Sequence, residues 1–143
     1  MTFIWIRTEN AKIADAYALR KAVFVDEQGF SAEGDKDAAD EDAWHIVGYD
    51  AKGVPQCTAR IFRESEGVYH AGRIVVNKNL RGCGIGKKMM AEVAAKAKDC
   101  GAKILRLGAQ YDKAGFYEAC GFVRYGETYL DENYPHVHMQ KTL

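Results

Sequence analysis

The stretch at 72–101 constrains this chain most. An apolar run, Ile74, Val75 and Val76, leads through a short polar link into Arg81-Gly82-Cys83-Gly84-Ile85-Gly86. A helix-like segment over 87–100 follows, closed by Gly101. The order strand, glycine-rich turn, helix leaves backbone N–H groups free at a helix N-terminus, where the helix dipole also favours negative charge. Gly82, Gly84 and Gly86 let a ligand approach the backbone without Cβ interference. The stretch reads as a phosphate cradle. A guanidinium at Arg81 and an ammonium at Lys87 reinforce it.

The rest of the chain builds layers around this unit. Residues 3–7 form a first strand near a sheet edge. Asn10 is an N-cap for a helix over 11–26, whose apolar tail Val23-Phe24-Val25 runs into Asp26, Glu27 and Gln28 before Gly29 stops it. The segment 31–42 carries six acids against Lys36. It is either a solvated loop or the acidic mouth of a site for a cationic acceptor. Strands over 44–49 and 54–62 pair across Asp50-Ala51-Lys52-Gly53, and a second turn leads into a strand over 68–76. A strand over 103–109 then requires a parallel, right-handed crossover. Asp112 caps a short helix, a further strand starts at Gly121, and a last one covers 137–141 after an irregular link at 130–135. The expectation is an α/β protein with a mixed sheet of about six to seven strands and about four helices, in one domain over 1–143.

Charge argues about partners. Lys and Arg total 20 and so do Asp and Glu, which gives no global field for nucleic acid or an anionic membrane. No apolar run approaches the ~20 residues of a membrane span, and the N-terminus lacks the pattern of a secretory signal. Cys57, Cys83, Cys100 and Cys120 are too scattered for a zinc pattern or a disulfide framework. A cytoplasmic protein with reduced thiols and no metal is expected.

Spacing decides which phosphate loop this is. A nucleotide-hydrolysing P-loop needs Gly, four residues, then Gly-Lys-Ser/Thr. Here the first position is Arg81 and the magnesium-binding hydroxyl is replaced by Lys88. A dinucleotide fingerprint needs G-x-x-G after G-x and sits near the first strand. Here the glycines alternate, and they arrive after about 80 residues.

Arg81-Gly82-Cys83-Gly84-Ile85-Gly86 resembles the acetyl-CoA signature of the GNAT N-acetyltransferase superfamily, R/Q-x-x-G-x-G/A. The stretch Gly115-Phe116-Tyr117-Glu118-Ala119-Cys120-Gly121-Phe122 resembles that family's FYxxxGF segment. Leu19-Arg20-Lys21-Ala22-Val23-Phe24-Val25-Asp26-Glu27-Gln28 and Pro135-His136-Val137-His138-Met139 are similar to its ElaA-like branch. The resemblance covers nearly the whole chain.

It implies a GNAT-like fold with splayed central parallel strands, acetyl-CoA as co-substrate, and acetyl transfer to a primary amine of a small molecule or peptide by direct attack. The cofactor pyrophosphate would lie on Gly82, Cys83, Gly84, Ile85 and Gly86, with Arg81 and Lys87 adding charge. Its pantetheine arm would follow Ile74, Val75 and Val76, with Gln110 at a second contact. The Val75–Val76 backbone would offer an oxyanion donor. Tyr117 matches the tyrosine that protonates the departing thiolate. The base stays open. His138 and Glu27 are catalytic candidates, and Glu27, His45 and His136 are candidates for contact with the amine. His70 is a weaker candidate, and Cys83 needs no covalent role. A rival reading is an acetyl-CoA-binding sensor without turnover, and a monomer and a homodimer both fit.

Overall fold

The structure, a computed structural model, describes residues 1–143. In chain order it runs β1 (Thr2–Ile6), α1 (Ile13–Arg20), α2 (Ala39–Asp42), β2 (Trp44–Tyr49), β3 (Pro55–Ser65), β4 (Val68–Val76), α3 (Ile85–Asp99), β5 (Ile104–Gln110), α4 (Ala114–Ala119), β6 (Val123–Asp131) and β7 (Tyr134–Thr142). The seven strands form one sheet in the order β1-β2-β3-β4-β5-β7-β6. Only β4 and β5 are parallel; every other pair is antiparallel. The expected mixed sheet with four helices is the observed one.

Both faces of the sheet centre are covered. Neighbouring strand residues point to opposite faces, so Ile46 and Val47 of β2 enter different cores. On one face Ala16, Leu19 and Val23 pack on Val47, Tyr49 and Val75. On the other, Met89, Met90, Val93 and Ala97 of α3 pack on Ile46, Ala59, Ile61 and Leu105. Each fully buried side chain of this size contributes about 1.5–3 kcal/mol.

Three regions differ from the local reading. The first helix starts at Ile13 because the Asn10 carboxamide accepts the Lys12 N–H at 2.9 Å and turns the chain there. After Arg20 it widens into a π-helical turn, Lys21–Glu27, with the Gln28 N–H on the Val23 carbonyl five residues back. Gly29, at φ 78°, ends it as expected.

The acidic segment is not a free acidic mouth. Asp35, Asp37 and Asp40 meet Arg20 of α1, Arg60 of β3 and Arg73 of β4. Arg20 Nη1 lies 2.9 Å from Asp40 Oδ1, Arg60 Nη1 lies 2.8 Å from the same oxygen, and Arg73 Nη2 lies 3.2 Å from Asp37 Oδ2. Burial pushes the Asp40 carboxyl up, but its bonds to Arg20 and Arg60 outweigh this and hold it far below the ordinary carboxylate range. The expected irregular link at 130–135 is instead a tight hairpin turn. Glu132 and Asn133 take positive φ values of 47° and 65°, and β7 begins at Tyr134.

Candidate active site

The β4–β5 pair makes the opening. Three rungs join the two strands, Val68–Ile104, Tyr69–Leu105 and His70–Arg106, and beyond them the strands diverge. A bulge in β4 at Arg73, whose φ is 49°, coincides with the divergence: Arg60 faces Gly72 while Thr58 faces Val75. The backbone of Ile74, Val75 and Val76 is bonded to β3 on one side only. On the other side lies a cavity of about 850 Å³.

One end of this cavity is the glycine turn. Gly82 and Gly84 sit at φ 82° and 81°, a left-handed conformation that L side chains rarely adopt. Gly86 serves packing, since a Cβ there would lie 3.0 Å from the Phe116 ring of α4. The first intrahelical bond of α3 is Lys88 N–H to the Gly84 carbonyl, so the N–H groups over 82–87 have no acceptor in the protein. Gly82, Gly84, Gly86 and Lys87 line the cavity, and so does Lys113, which precedes α4. Cys83 is exposed away from it, and Ile85 packs on the core, so both contribute backbone only.

Arg81 lines the cavity but is already engaged. Its guanidinium forms a bidentate pair with Glu27 at 2.5 and 2.8 Å, and its Nε–H donates to the Val76 carbonyl at 3.1 Å. The Arg81 hydrogen bonds lower the Glu27 pKa. Glu27, expected as a base or an amine contact, is thus a committed carboxylate outside the cavity.

The histidines separate by environment. His45 is buried with Nε2 on the Asp40 carbonyl at 2.9 Å, and burial lowers its pKa. It does not reach the cavity, so the expected amine contact is not made. His138 shares a face with His136, as strand periodicity requires, but its ring is stacked between Tyr125 and Tyr129 at 5.4 and 4.3 Å and does not line the cavity. His70 does line it, with Nδ1 3.4 Å from Glu64. His136 lines it too, is 8% exposed, and has Nδ1 2.8 Å from the Tyr134 carbonyl. A carbonyl only accepts, so Nδ1 carries the proton, and the Nε2 of the neutral ring is a lone-pair acceptor with no protein partner.

Tyr117 lies between Phe116 and Phe122, with edge-on ring contacts at 5.0 and 6.1 Å, and also lines the cavity. Burial, with a smaller contribution from Cys120, raises its pKa, so the phenol keeps its proton at neutral pH. Gln110 Nε2 donates to Gln28 Oε1 at 2.8 Å, tying β5 to the end of the π turn and leaving the Gln110 carbonyl free.

Several lining residues carry no motif. Phe30, Lys113, Tyr129, Asp131 and Glu132 reach the cavity from the stretch after the π turn, the start of α4 and the β6–β7 hairpin. Phe24 lines it from within the segment 19–28. Tyr129 reaches across β7 because β5 has Gly108 opposite it, where any Cβ would overlap the Tyr129 hydroxyl.

Comparison with known proteins agrees with this geometry. The family model described as "Acetyltransferase (GNAT) domain" matches residues 10–143. An uncharacterized N-acetyltransferase of Bacillus subtilis is 34% identical over 137 residues, covering 95% of this chain and 96% of that one. The crystal structure of Escherichia coli ElaA superposes with a TM-score of 0.87 at 27% identity, over 98% of both chains. That of an acyl-CoA N-acyltransferase from Pseudomonas aeruginosa gives 0.86 at 25% identity, over 99% of this chain and 100% of that one. The splayed strands with a glycine turn at their open end are therefore those of an acyltransferase, and the chain belongs to the GNAT acetyltransferase family, on its ElaA-like branch.

Proposed function

We propose that this protein transfers the acetyl group of acetyl-CoA to a primary amine by direct attack. One observation carries the reading. The free N–H groups over 82–87, the one-sided backbone of Ile74 to Val76, the Tyr117 phenol and the unpartnered Nε2 of His136 all belong to one cavity.

The thioester supplies an activated acyl carbon. The pyrophosphate fits the N–H groups of the glycine turn, with Lys87 and Lys113 supplying charge. Arg81 holds the turn to Glu27 and β4 and acts there as a positioning residue. Ile74, Val75 and Val76 offer strand-like bonds to an amide-bearing arm, and the Gln110 carbonyl offers one more. A backbone N–H of Val75 or Val76 is suited to the oxyanion.

As the amine nitrogen bonds to the acyl carbon, His136 Nε2 takes its proton. The C–S bond breaks, and the Tyr117 hydroxyl protonates the departing thiolate. The two side chains then regain their starting states by proton exchange with solvent.

The test is thiol release from acetyl-CoA over a panel of primary amines, with acetyl-CoA affinity measured separately by calorimetry. Amine-dependent thiol release is expected. Tight binding with no release from any amine would sink the transfer reading and favour a sensor. His136→Gln is expected to lower kcat on the order of 10²-fold with acetyl-CoA affinity little changed. An unchanged kcat would remove His136 as the base.

A further inference from the structure

The cavity is charged oppositely at its two ends. Its free cations are Lys87, in the first turn of α3, and Lys113, ahead of α4 and close enough to Glu27, the partner of Arg81, to act on its charge, whereas Asp131 and Glu132 stand at the tip of the β6–β7 hairpin. No Lys, Arg or His lies within ion-pair distance of either carboxylate. Glu132 accepts one protein bond, from the Ser31 N–H at 3.2 Å. The other charges at this end, Asp35 and Arg73, are satisfied within the arginine–aspartate network.

Rings line the same cavity as His136 and the two carboxylates. Phe24 and Phe30 meet edge-on at 6.5 Å, and the Tyr129 ring lies 5.6 Å from that of His136. Tyr129 and Asp131 are two residues apart on β6 and share a face, a spacing of about 7 Å. Tyr129 and His136 are directly paired across the strands. The acceptor end thus offers a proton acceptor, an apolar and aromatic middle, and two carboxylates about one strand repeat further out. His136, more than nine-tenths buried with a free Nε2, marks where a reacting nitrogen must stand.

Resting on the transfer reading above, we propose that the acceptor is a diamine with an apolar spacer of about four to five carbons or one aromatic ring. One amine, neutral when it attacks, faces His136. The spacer lies on Phe24, Phe30 and Tyr129, and the second ammonium pairs with Asp131 and Glu132. Single acetylation removes one charge and leaves the other, so the product keeps one ammonium.

The experiment has two readouts. The first is thiol release with 1,5-diaminopentane, pentylamine and 5-aminopentanoate at saturating acetyl-CoA. The second is calorimetric titration of 1,5-diaminopentane into the protein saturated with CoA, which needs no turnover. The diamine is expected to exceed pentylamine in kcat/KM on the order of tenfold, and the aminopentanoate to fall below both. In the double variant Asp131→Asn, Glu132→Gln the diamine-to-monoamine ratio falls towards one, with the change in KM. Glu66→Gln, in the distant β3–β4 turn, keeps the ratio. Equal use of diamine and monoamine, or a ratio that survives the double variant, overturns the diamine site while leaving acetyl transfer standing. Diamine binding that the double variant weakens, with no thiol release from any amine, supports the site and refutes transfer. Neither binding nor release refutes both.

Discussion

Asp40→Asn is a perturbation whose cost can be worked from contacts. The Asp40 carboxylate is 3% exposed and accepts from Arg20 at 2.9 and 3.1 Å, from Arg60 at 2.8 Å, and from the Asp37 N–H at 3.2 Å. An asparagine carbonyl at the Oδ1 position still accepts from both guanidinium groups, but its N–H₂ then meets the Arg20 Nη2 and Asp37 N–H donors that Oδ2 served. Both arginines are almost fully buried; Arg20 keeps Asp35 and Arg60 keeps Asp37, so the loss is one shared negative charge and two charge-assisted or backbone bonds. Losing buried hydrogen bonds to a charged group costs about 1.5–3 kcal/mol. With an unfolding entropy of about 0.3 kcal/mol/K for a chain of this size, the melting temperature should fall on the order of 5–10 °C. Urea unfolding at pH 7 measures the loss directly. The pH dependence is a second check. Asp40 has a depressed pKa in the folded state, so its contribution is complete above the unfolded value near ~3.9 and is lost as pH falls. The gap between the two proteins should be constant from about pH 5 to 8 and should narrow below about pH 4. A loss under about 1 kcal/mol at pH 7, or a gap that does not narrow in acid, refutes the reasoning.

Other perturbations probe the site. Gly108→Ala drives the Tyr129 hydroxyl off β5 and breaks its stack with His138; it should raise the acceptor KM and cost about 1–3 kcal/mol in urea unfolding, with acetyl-CoA affinity little changed. Gly84→Ala places a Cβ at φ 81°; it should cost about 1–2 kcal/mol of stability and weaken acetyl-CoA binding by calorimetry. Tyr117→Phe should lower kcat on the order of 10²-fold. Because burial raises the Tyr117 pKa, the wild-type rate should hold through pH 9, and a Phe variant with unchanged kcat would remove Tyr117 as the acid.

The parts legible in the sequence are those set by local order. The strand, glycine turn and helix around Gly82 to Gly86 were readable because positive-φ positions and an N-terminal turn leave their mark within a few residues. The acidic segment was not, because its partners Arg20, Arg60 and Arg73 come from three other elements and no composition window contains them. The β6–β7 turn escaped because Glu132-Asn133 lacks the glycine that usually marks a two-residue hairpin. With it went Asp131, Glu132 and the reach of Tyr129. Glu27 was misplaced for a related reason. A carboxylate at a helix end looks available until Arg81, far along the chain, is brought to it.

The three rungs between β4 and β5 divide the sheet mechanically. Four strands lie on one side and three on the other, and the seam between them is bonded over a third of its length. A ligand with amides along its length that lies in the seam serves as the missing rungs. It then belongs to the folding equilibrium as much as to the chemistry. Its free concentration sets the cohesion of the two half-sheets, growing as RT ln(1 + [L]/Kd). Donor supply in the cell would govern how much of this protein survives to act, before it governs how fast each molecule turns over.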